Sequence, residues 1–232
     1  MKNFYLLFLV VGLLPINTVF GQKAYERPTY IDNIYNVQEI TADALMNWDM
    51  TGKGQLSAVN GQVYLAESQG SAGVLLTSPI KYGIDLVVSY DVMALRPGTV
   101  LVALLSLSNS GDGGLKFEDS YDANLRYISN STSAYMIAFL NAPHNRYPFI
   151  NRFPAKKNPL VEDDRSHMQP GIYYHIDVGR EKDHIWLAID GEKVIEAVDP
   201  IPLGEGHFSF RIRGTANEKA SCLIRNVKIY TR

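Results

Sequence analysis

The sequence predicts an all-β domain in which two antiparallel sheets pack as a sandwich or jelly roll. Apolar and polar residues alternate with period two from residue 55 onward. Turn residues interrupt this alternation at short intervals. The 232 residues, 46% hydrophobic and 20% charged, suit one packed domain. About a dozen strands and at most one short helix, near residues 42–47, are therefore expected.

The expected strands follow one another closely along the chain. They span residues 55–59, 62–67, 73–78, 84–94, 99–108, 123–128, 133–141, 172–179, 184–189, 192–198, 206–213 and 221–230. Asn60-Gly61 and Asp190-Gly191 suit tight hairpin turns, because these residues accept positive φ angles. Residues 99–108 are almost continuously apolar, which is typical of a central strand covered on both faces.

The N-terminal residues 1–21 predict a signal peptide. Lys2 precedes an apolar run at residues 4–14, and Gly21 suits a signal-peptidase cut. The run is too short to span a membrane, and no cysteine follows the cut to take a lipid anchor. The alternative is a buried N-terminal strand. We therefore expect an exported protein, periplasmic or secreted, with an N-terminal extension at 22–46 and a jelly-roll domain at 47–232.

Charge and cysteine content exclude several classes of protein. The formal net charge is −2, whereas a general nucleic-acid binder needs a basic surface. The single cysteine, Cys222, permits no internal disulfide and no cysteine-based zinc site. It alternates with apolar neighbours, which predicts a buried side chain.

The last part of the chain carries a recognisable series of residues. Trp186 lies in a strand, Asp190-Gly191 forms a turn, Pro202-Leu203-Gly204 forms a connection, and Asn226 lies in the terminal strand. With Trp48 and Asn60-Gly61 at the front, residues 47–230 resemble the concanavalin A-like lectin/glucanase superfamily. The resemblance is closest to exported bacterial proteins of glycan-utilisation clusters. It implies a concanavalin A-like jelly roll and a glycan as substrate or ligand.

The best-known catalytic signatures of that superfamily are missing. Glu118, Asp119 and Asp122 lie close together but lack the Glu-x-Asp-x-x-Glu spacing of glucanases. The Arg-x-Glu-x-Arg and Gln-x-His patterns of alginate lyases are absent as well. Retaining glucanase chemistry is therefore not expected.

Each of two late strands places several polar side chains on one of its own faces. Period-two geometry puts His207, Arg211 and Arg213 together, and arginines pair bidentately with a carboxylate. Tyr173 and His175 share a face of another strand. If both faces line one concave groove, these side chains meet around a sugar. The alternative is a solvated outer face with ordinary ion pairs.

The irregular middle of the chain adds polar residues that suit hydroxyl recognition. Elimination at a uronate needs a neutralising cation, a base and an acid, which Arg, His and Tyr provide. The predicted catalytic residues are His144, His175, Tyr173 and Arg211. The predicted substrate-binding residues are Arg126, Tyr135, Asn141, Arg146, Arg152, Asn158, His207 and Arg213. The alternative is an ordinary exposed loop.

The predicted function is recognition of an oligosaccharide or polysaccharide on a concave sheet face, with lyase or hydrolase activity. A non-catalytic carbohydrate-binding or scaffold module is the alternative, and a protein-binding sandwich without a sugar site is a third class. No catalytic metal or cofactor is expected. A structural calcium ion is considered at Asp112, or at Asp163 with Asp164, because calcium prefers clustered oxygen ligands.

Overall fold

The computed structural model describes residues 36–154, 158–215 and 217–232. The predicted signal peptide and residues 22–35 lie outside the described residues. The elements, in chain order, are β1 (Asn36–Ile40), α1 (Ala42–Leu45), β2 (Asp49–Thr51), β3 (Gly54–Val59), β4 (Gln62–Glu67), β5 (Val74–Tyr82), β6 (Leu86–Ala94), β7 (Val100–Ser108), α2 (Leu125–Ser131), β8 (Ser133–Leu140), a 3-10 turn (Ala142–His144), β9 (Phe149–Phe153), β10 (Val161–Glu162), β11 (Tyr174–Glu181), β12 (His184–Ile189), β13 (Glu192–Val198), β14 (Gly206–Arg213) and β15 (Ser221–Thr231).

Two antiparallel sheets confirm the predicted fold class. The eight-stranded sheet has the order β13-β12-β11-β6-β15-β4-β3, with β1 also paired to β15. The seven-stranded sheet has the order β10-β9-β8-β7-β14-β5-β2. The first half of β15 pairs with β4 and its second half with β1, so the described part of the N-terminal extension completes this sheet.

The main core lies between the two sheets and follows the predicted alternation. Leu86, Val88 and Tyr90 of β6 point inward, and Phe208 and Phe210 of β14 point toward them. The rings of Tyr90 and Phe210 meet edge to face, with centroids 4.9 Å apart. All nine residues of β7 are buried, which confirms a central strand covered on both faces.

A second apolar layer covers the outer face of the seven-stranded sheet. We call residues 115–131 the covering segment. Its buried Ala123 and Ile128 pack on sheet residues such as Leu75, Val102 and Met136. A polysaccharide chain therefore has no access to this part of the sheet.

The covering segment also corrects one predicted element. Residues 123–128 were expected to form a strand, but α2 begins at Leu125. The Asn124 side chain caps this helix by accepting a hydrogen bond from the Arg126 backbone N–H at 2.9 Å. A local cap therefore outweighs the short alternating pattern. The predicted helix near 42–47 is confirmed as α1, whose Leu45 is buried in the core.

Cys222 lies buried in β15, as predicted, and is a free thiol. Burial raises the pKa of this thiol to about 12. Within the part of the chain that the structure describes, no helix has the length and apolar character needed to cross a membrane.

Candidate functional site

The two predicted groups of site residues lie on opposite sides of the sandwich. His175 pairs with Asp91, and the inward positions beside them are Ile176 and Tyr90, so His175 faces outward from the eight-stranded sheet. Arg211 pairs with Leu75 and Val102 and faces outward from the seven-stranded sheet, beneath the covering segment. The hypothesis that arginine, histidine and tyrosine meet around one sugar is therefore wrong.

Three predicted arginines do come together in one pocket, which we call the rim pocket. It has a volume of about 440 Å³ and opens where β4 and β14 end, beside the start of α2. Arg126, Arg211 and Arg213 line it. Its full lining is Glu67, Ser71, Ala72, Asn124, Leu125, Arg126, Arg211, Arg213, Gly214 and Lys219.

Arg211 is the most deeply buried cation of the rim pocket, with 1% of its surface exposed. Its Nη2 donates to the carbonyls of Ala72 and Ala123, both at 3.2 Å, whereas its buried Nε has no partner among the described residues. Gly73 leaves room for this guanidinium, because a Cβ there would lie 3.0 Å from Nη2. The backbone thus holds the guanidinium in place.

The charge on Arg211 persists at neutral pH. Burial and, to a lesser extent, Arg213 lower the pKa of this guanidinium to about 10, against the opposing effects of Tyr121 and Glu67. Since a pKa of about 10 is well above neutrality, Arg211 keeps a permanent positive charge under the rim pocket.

Glu67 is the single carboxylate among the residues that line the rim pocket. Its Oε2 accepts hydrogen bonds from the backbone N–H groups of Gly214 (2.7 Å) and Ala220 (3.2 Å). Its Oε1 lies 3.5 Å from Nζ of Lys219. This carboxylate is therefore occupied in joining the ends of β4 and β14.

Arg126 and Arg213 are the two accessible arginines of the rim pocket, whereas the exposed Lys219 is already paired with Glu67. Both arginines are exposed. Within the described ranges, neither side chain forms an ion pair or a hydrogen bond. Their guanidinium groups are thus free to contact a ligand.

His175 lies in a separate cluster on the outer face of the eight-stranded sheet. Its Nδ1 donates to Oδ1 of Asp91 at 2.7 Å. Its Nε2 lies 2.9 Å from Oγ of Ser89 and 3.4 Å from Oδ1 of Asp177. Burial alone would lower the pKa of His175, but Asp177 and Asp91 outweigh it and raise the pKa to about 9.

A histidine with this pKa is largely protonated at neutral pH. Its contacts with Asp91 of β6 and Asp177 of β11 give His175 a role in joining these two strands. Tyr173 belongs to the same network: its hydroxyl donates to Gln62, and the guanidinium of Arg225 lies 3.9 Å from its ring centroid. Arg225 in turn donates to Asp91 at 3.2 Å.

Tyr135 and Arg152 hold the interior together rather than binding substrate. Tyr135 is fully buried, and its hydroxyl donates to Oδ2 of Asp199 at 2.9 Å. Nε of Arg152 donates to the same oxygen at 2.6 Å. Burial alone would raise the pKa of Asp199, but these hydrogen bonds and one from the Ile201 N–H lower it. A ligand cannot reach Tyr135, and Arg152 is already paired.

The remaining predicted residues lie away from the rim pocket. Asn141 is buried, and its carbonyl accepts hydrogen bonds from the backbone N–H groups of His144 and Arg146, both at 2.9 Å. His144 and Asn158 are exposed. Nδ1 of His207 lies 2.8 Å from the carbonyl of Ser78. The structure therefore does not join these residues into one site.

Two of the three carboxylates considered for calcium, those of Asp112 and Asp163, have protein partners. Oδ1 of Asp112 accepts from Oγ of Ser110 at 2.5 Å and from the Gly114 N–H at 3.1 Å. Oδ2 of Asp163 lies 2.6 Å from Nε2 of His167. Among the described residues, no three histidine, cysteine, aspartate or glutamate side chains group together as a metal site.

Several residues of the rim pocket were not predicted from the sequence. Glu67 ends a predicted strand, and Lys219 lies in a loop with no motif around it. Asn124 carried a usable signal, because asparagine before an apolar run is typical of a helix N-cap. Lys219 and Glu67 gave no such signal, since their roles depend on chain segments far apart in sequence.

No family model and no curated protein matches the sequence. Solved structures do match. A protein of unknown function with a galectin-like fold from Bacillus subtilis has a TM-score of 0.68 and 14% identity, covering 86% of this chain and all of that one. The kappa-carrageenase from Pseudoalteromonas carrageenovora, in complex with an oligotetrasaccharide of kappa-carrageenan, has a TM-score of 0.57 and 11% identity, covering 89% and 99%. The carbohydrate-binding module CBM66 from Bacillus subtilis has a TM-score of 0.50 and 16% identity, covering 78% and 96%. These likenesses establish the concanavalin A-like fold.

Proposed function

We propose that the protein is an exported carbohydrate-binding protein that takes a sugar unit into the rim pocket without cleaving it. The observation that carries this proposal is the rim pocket itself, which is open and lined mainly by polar side chains. Its volume of about 440 Å³ lies within the usual range for ligand sites, roughly 300 to 1,000 Å³. The fold supports the proposal, because it is shared with a carbohydrate-binding module and a carrageenase.

Binding without cleavage follows from the side chains that line the rim pocket. Glycoside hydrolysis needs two carboxyl groups, roughly 5 to 9.5 Å apart. Glu67 is the only one among the lining residues, and its oxygens are already engaged. Among the described residues, no histidine or tyrosine lines the rim pocket to act as the base or acid of an elimination. The non-catalytic alternative is therefore favoured over the lyase and the hydrolase.

Affinity electrophoresis tests this proposal. The purified protein is run through gels that contain neutral or acidic plant and algal polysaccharides, and parallel incubations are assayed for reducing ends and for the ultraviolet absorbance of unsaturated uronates. We expect retarded migration on at least one glycan, with no product in either assay. Product formation would show an enzyme, and unretarded migration on every glycan would refute a carbohydrate function.

A further inference from the structure

We infer that the sugar unit in the rim pocket is anionic and carries a carboxylate or a sulfate ester held by Arg126 and Arg213 above the buried Arg211. This inference rests on the proposed function and adds the chemical class of the ligand. It also assigns the contacts to two side chains that the structure leaves accessible.

The charges of the rim pocket are strongly unbalanced. Four cations line it, Arg126, Arg211, Arg213 and Lys219, against the single carboxylate of Glu67. The whole chain, in contrast, has a formal net charge of −2. Such a local excess of like charges is unfavourable on its own, and a bound anion relieves it.

Because Arg211 is buried, its positive charge attracts an anion more strongly than an exposed charge would. Its guanidinium is fixed by the carbonyls of Ala72 and Ala123, and solvent does not screen it. Electrostatic attraction is stronger where the local dielectric is low. An anion that enters the rim pocket therefore meets a fixed positive charge that needs no reorganisation.

The neutral polar groups of the rim pocket are largely occupied, which disfavours a neutral sugar. Oγ of Ser71 donates to the Gly73 carbonyl and accepts from the Lys53 N–H. Oδ1 of Asn124 is used in capping α2. The guanidinium groups of Arg126 and Arg213 are the main donors left, and their planar shape matches carboxylate and sulfate oxygens.

Matched glycan pairs test the inference by isothermal titration calorimetry on the purified protein. One pair is oligogalacturonate and its carboxyl-reduced, neutral counterpart, and the other is a sulfated galactan oligosaccharide and its desulfated counterpart. We expect the anionic member of a pair to bind, its neutral member to bind far more weakly, and added salt to weaken binding. The pair that binds identifies the anion as carboxylate or sulfate.

Single variants locate the binding site. Arg126→Gln and Arg213→Gln should each raise the Kd by about tenfold or more, because each removes a charge-assisted hydrogen bond. Both residues are exposed, so the fold should persist, as circular dichroism would show. Arg165→Gln is the matched control: its side chain is 77% exposed and does not line the rim pocket.

The possible outcomes separate the inference from the proposed function. Equal binding of neutral and anionic members would overturn the inference and leave the carbohydrate function standing. Anionic binding that neither variant weakens would place the site elsewhere. Binding of free galacturonate or sulfate without any oligosaccharide binding would leave an anion site and reject the carbohydrate function. Absence of all binding would reject both.

Discussion

At the scale of single residues, His175 shows how the outer face of the eight-stranded sheet is held together. Its two ring nitrogens lie against Asp91 on β6 and against Asp177 on its own strand, β11. Asp91 also accepts a hydrogen bond from Asn226 of β15 at 2.7 Å. One protonated imidazole thus helps to fix three neighbouring strands.

The raised pKa of His175 predicts a pH dependence of stability. The folded pKa, about 9, is above the value of about 6.5 for an unfolded histidine. The stabilisation is therefore fully present below pH 6.5 and is lost as the pH rises toward 9, by up to about 3 kcal/mol. Urea unfolding between pH 6 and pH 9.5 should show this fall in the free energy of unfolding.

Two variants isolate the contribution of His175. In His175→Gln the fall over the same pH range should largely disappear. In His184→Gln, whose side chain is 59% exposed in the native protein, the fall should remain. An undiminished fall in His175→Gln would mean that another group titrates.

The faces of these residues were predictable from the sequence, whereas their chemistry was not. Alternation correctly placed His175 and Asp177 of β11 on one face, and Tyr173, just before β11, belongs to the same network. The partners of His175 and Tyr173, namely Asp91 and Arg225, come from strands far away in sequence. Because strand order decides which side chains become neighbours, no local pattern reveals a histidine that is protonated.

At the scale of elements, the covering segment decides which part of the seven-stranded sheet is accessible. Its aromatic side chains pack on one another as well as on the sheet. The ring centroids of Phe117 and Tyr121, for example, are 4.9 Å apart. Ile128 of α2 is fully buried against the sheet. The segment is therefore an integral layer of the fold.

Truncation of Ile128 tests this packing. Ile128→Ala should lower the free energy of unfolding by about 2 to 4 kcal/mol, because it leaves a cavity under α2. Ile201→Ala is the matched control, since Ile201 is 74% exposed and its truncation should change stability by less than about 0.5 kcal/mol. Chemical denaturation gives both values. Equal stability of the two variants would show that α2 does not pack on the sheet.

Strand bounds were predicted well where an Asn-Gly or Asp-Gly dipeptide marks the turn between two strands. The hairpins around Asn60-Gly61 and Asp190-Gly191 contain β4, β12 and β13, whose bounds agree with the structure. Both turns show the expected positive φ angles. At Asn124 the sequence pattern was ambiguous, because a few alternating residues fit a strand and a capped helix equally well.

At the scale of the whole molecule, sheet topology separates residues that the sequence places close together. Residues 174–175 of β11 and 211–213 of β14 both lie in late strands, yet these strands belong to different sheets. Period two defines two faces for each strand but not the direction in which a face points. The rim pocket was therefore predictable in part, through Arg126, Arg211 and Arg213, and its position at the end of β14 was not.

Export is a property of the whole chain and has its own test. Protein recovered from outside the cytoplasm should begin at Gln22, as N-terminal sequencing would show. Leu9→Arg, which interrupts the apolar run, should retain residues 1–21 and remain in the cytoplasm. Wild-type protein that keeps residues 1–21 inside the cell would contradict the signal peptide.

The burial of Cys222 has a consequence for the proposed export, which would bring the chain into an oxidising compartment. Its thiol is fully enclosed in β15, and a pKa of about 12 leaves almost no thiolate to react. Folded molecules therefore have no reactive thiol with which to form disulfide crosslinks to one another or to other chains. Oxidation of this thiol is therefore confined mainly to molecules that have not finished folding, so the pairing of β15 into its sheet also protects Cys222 chemically.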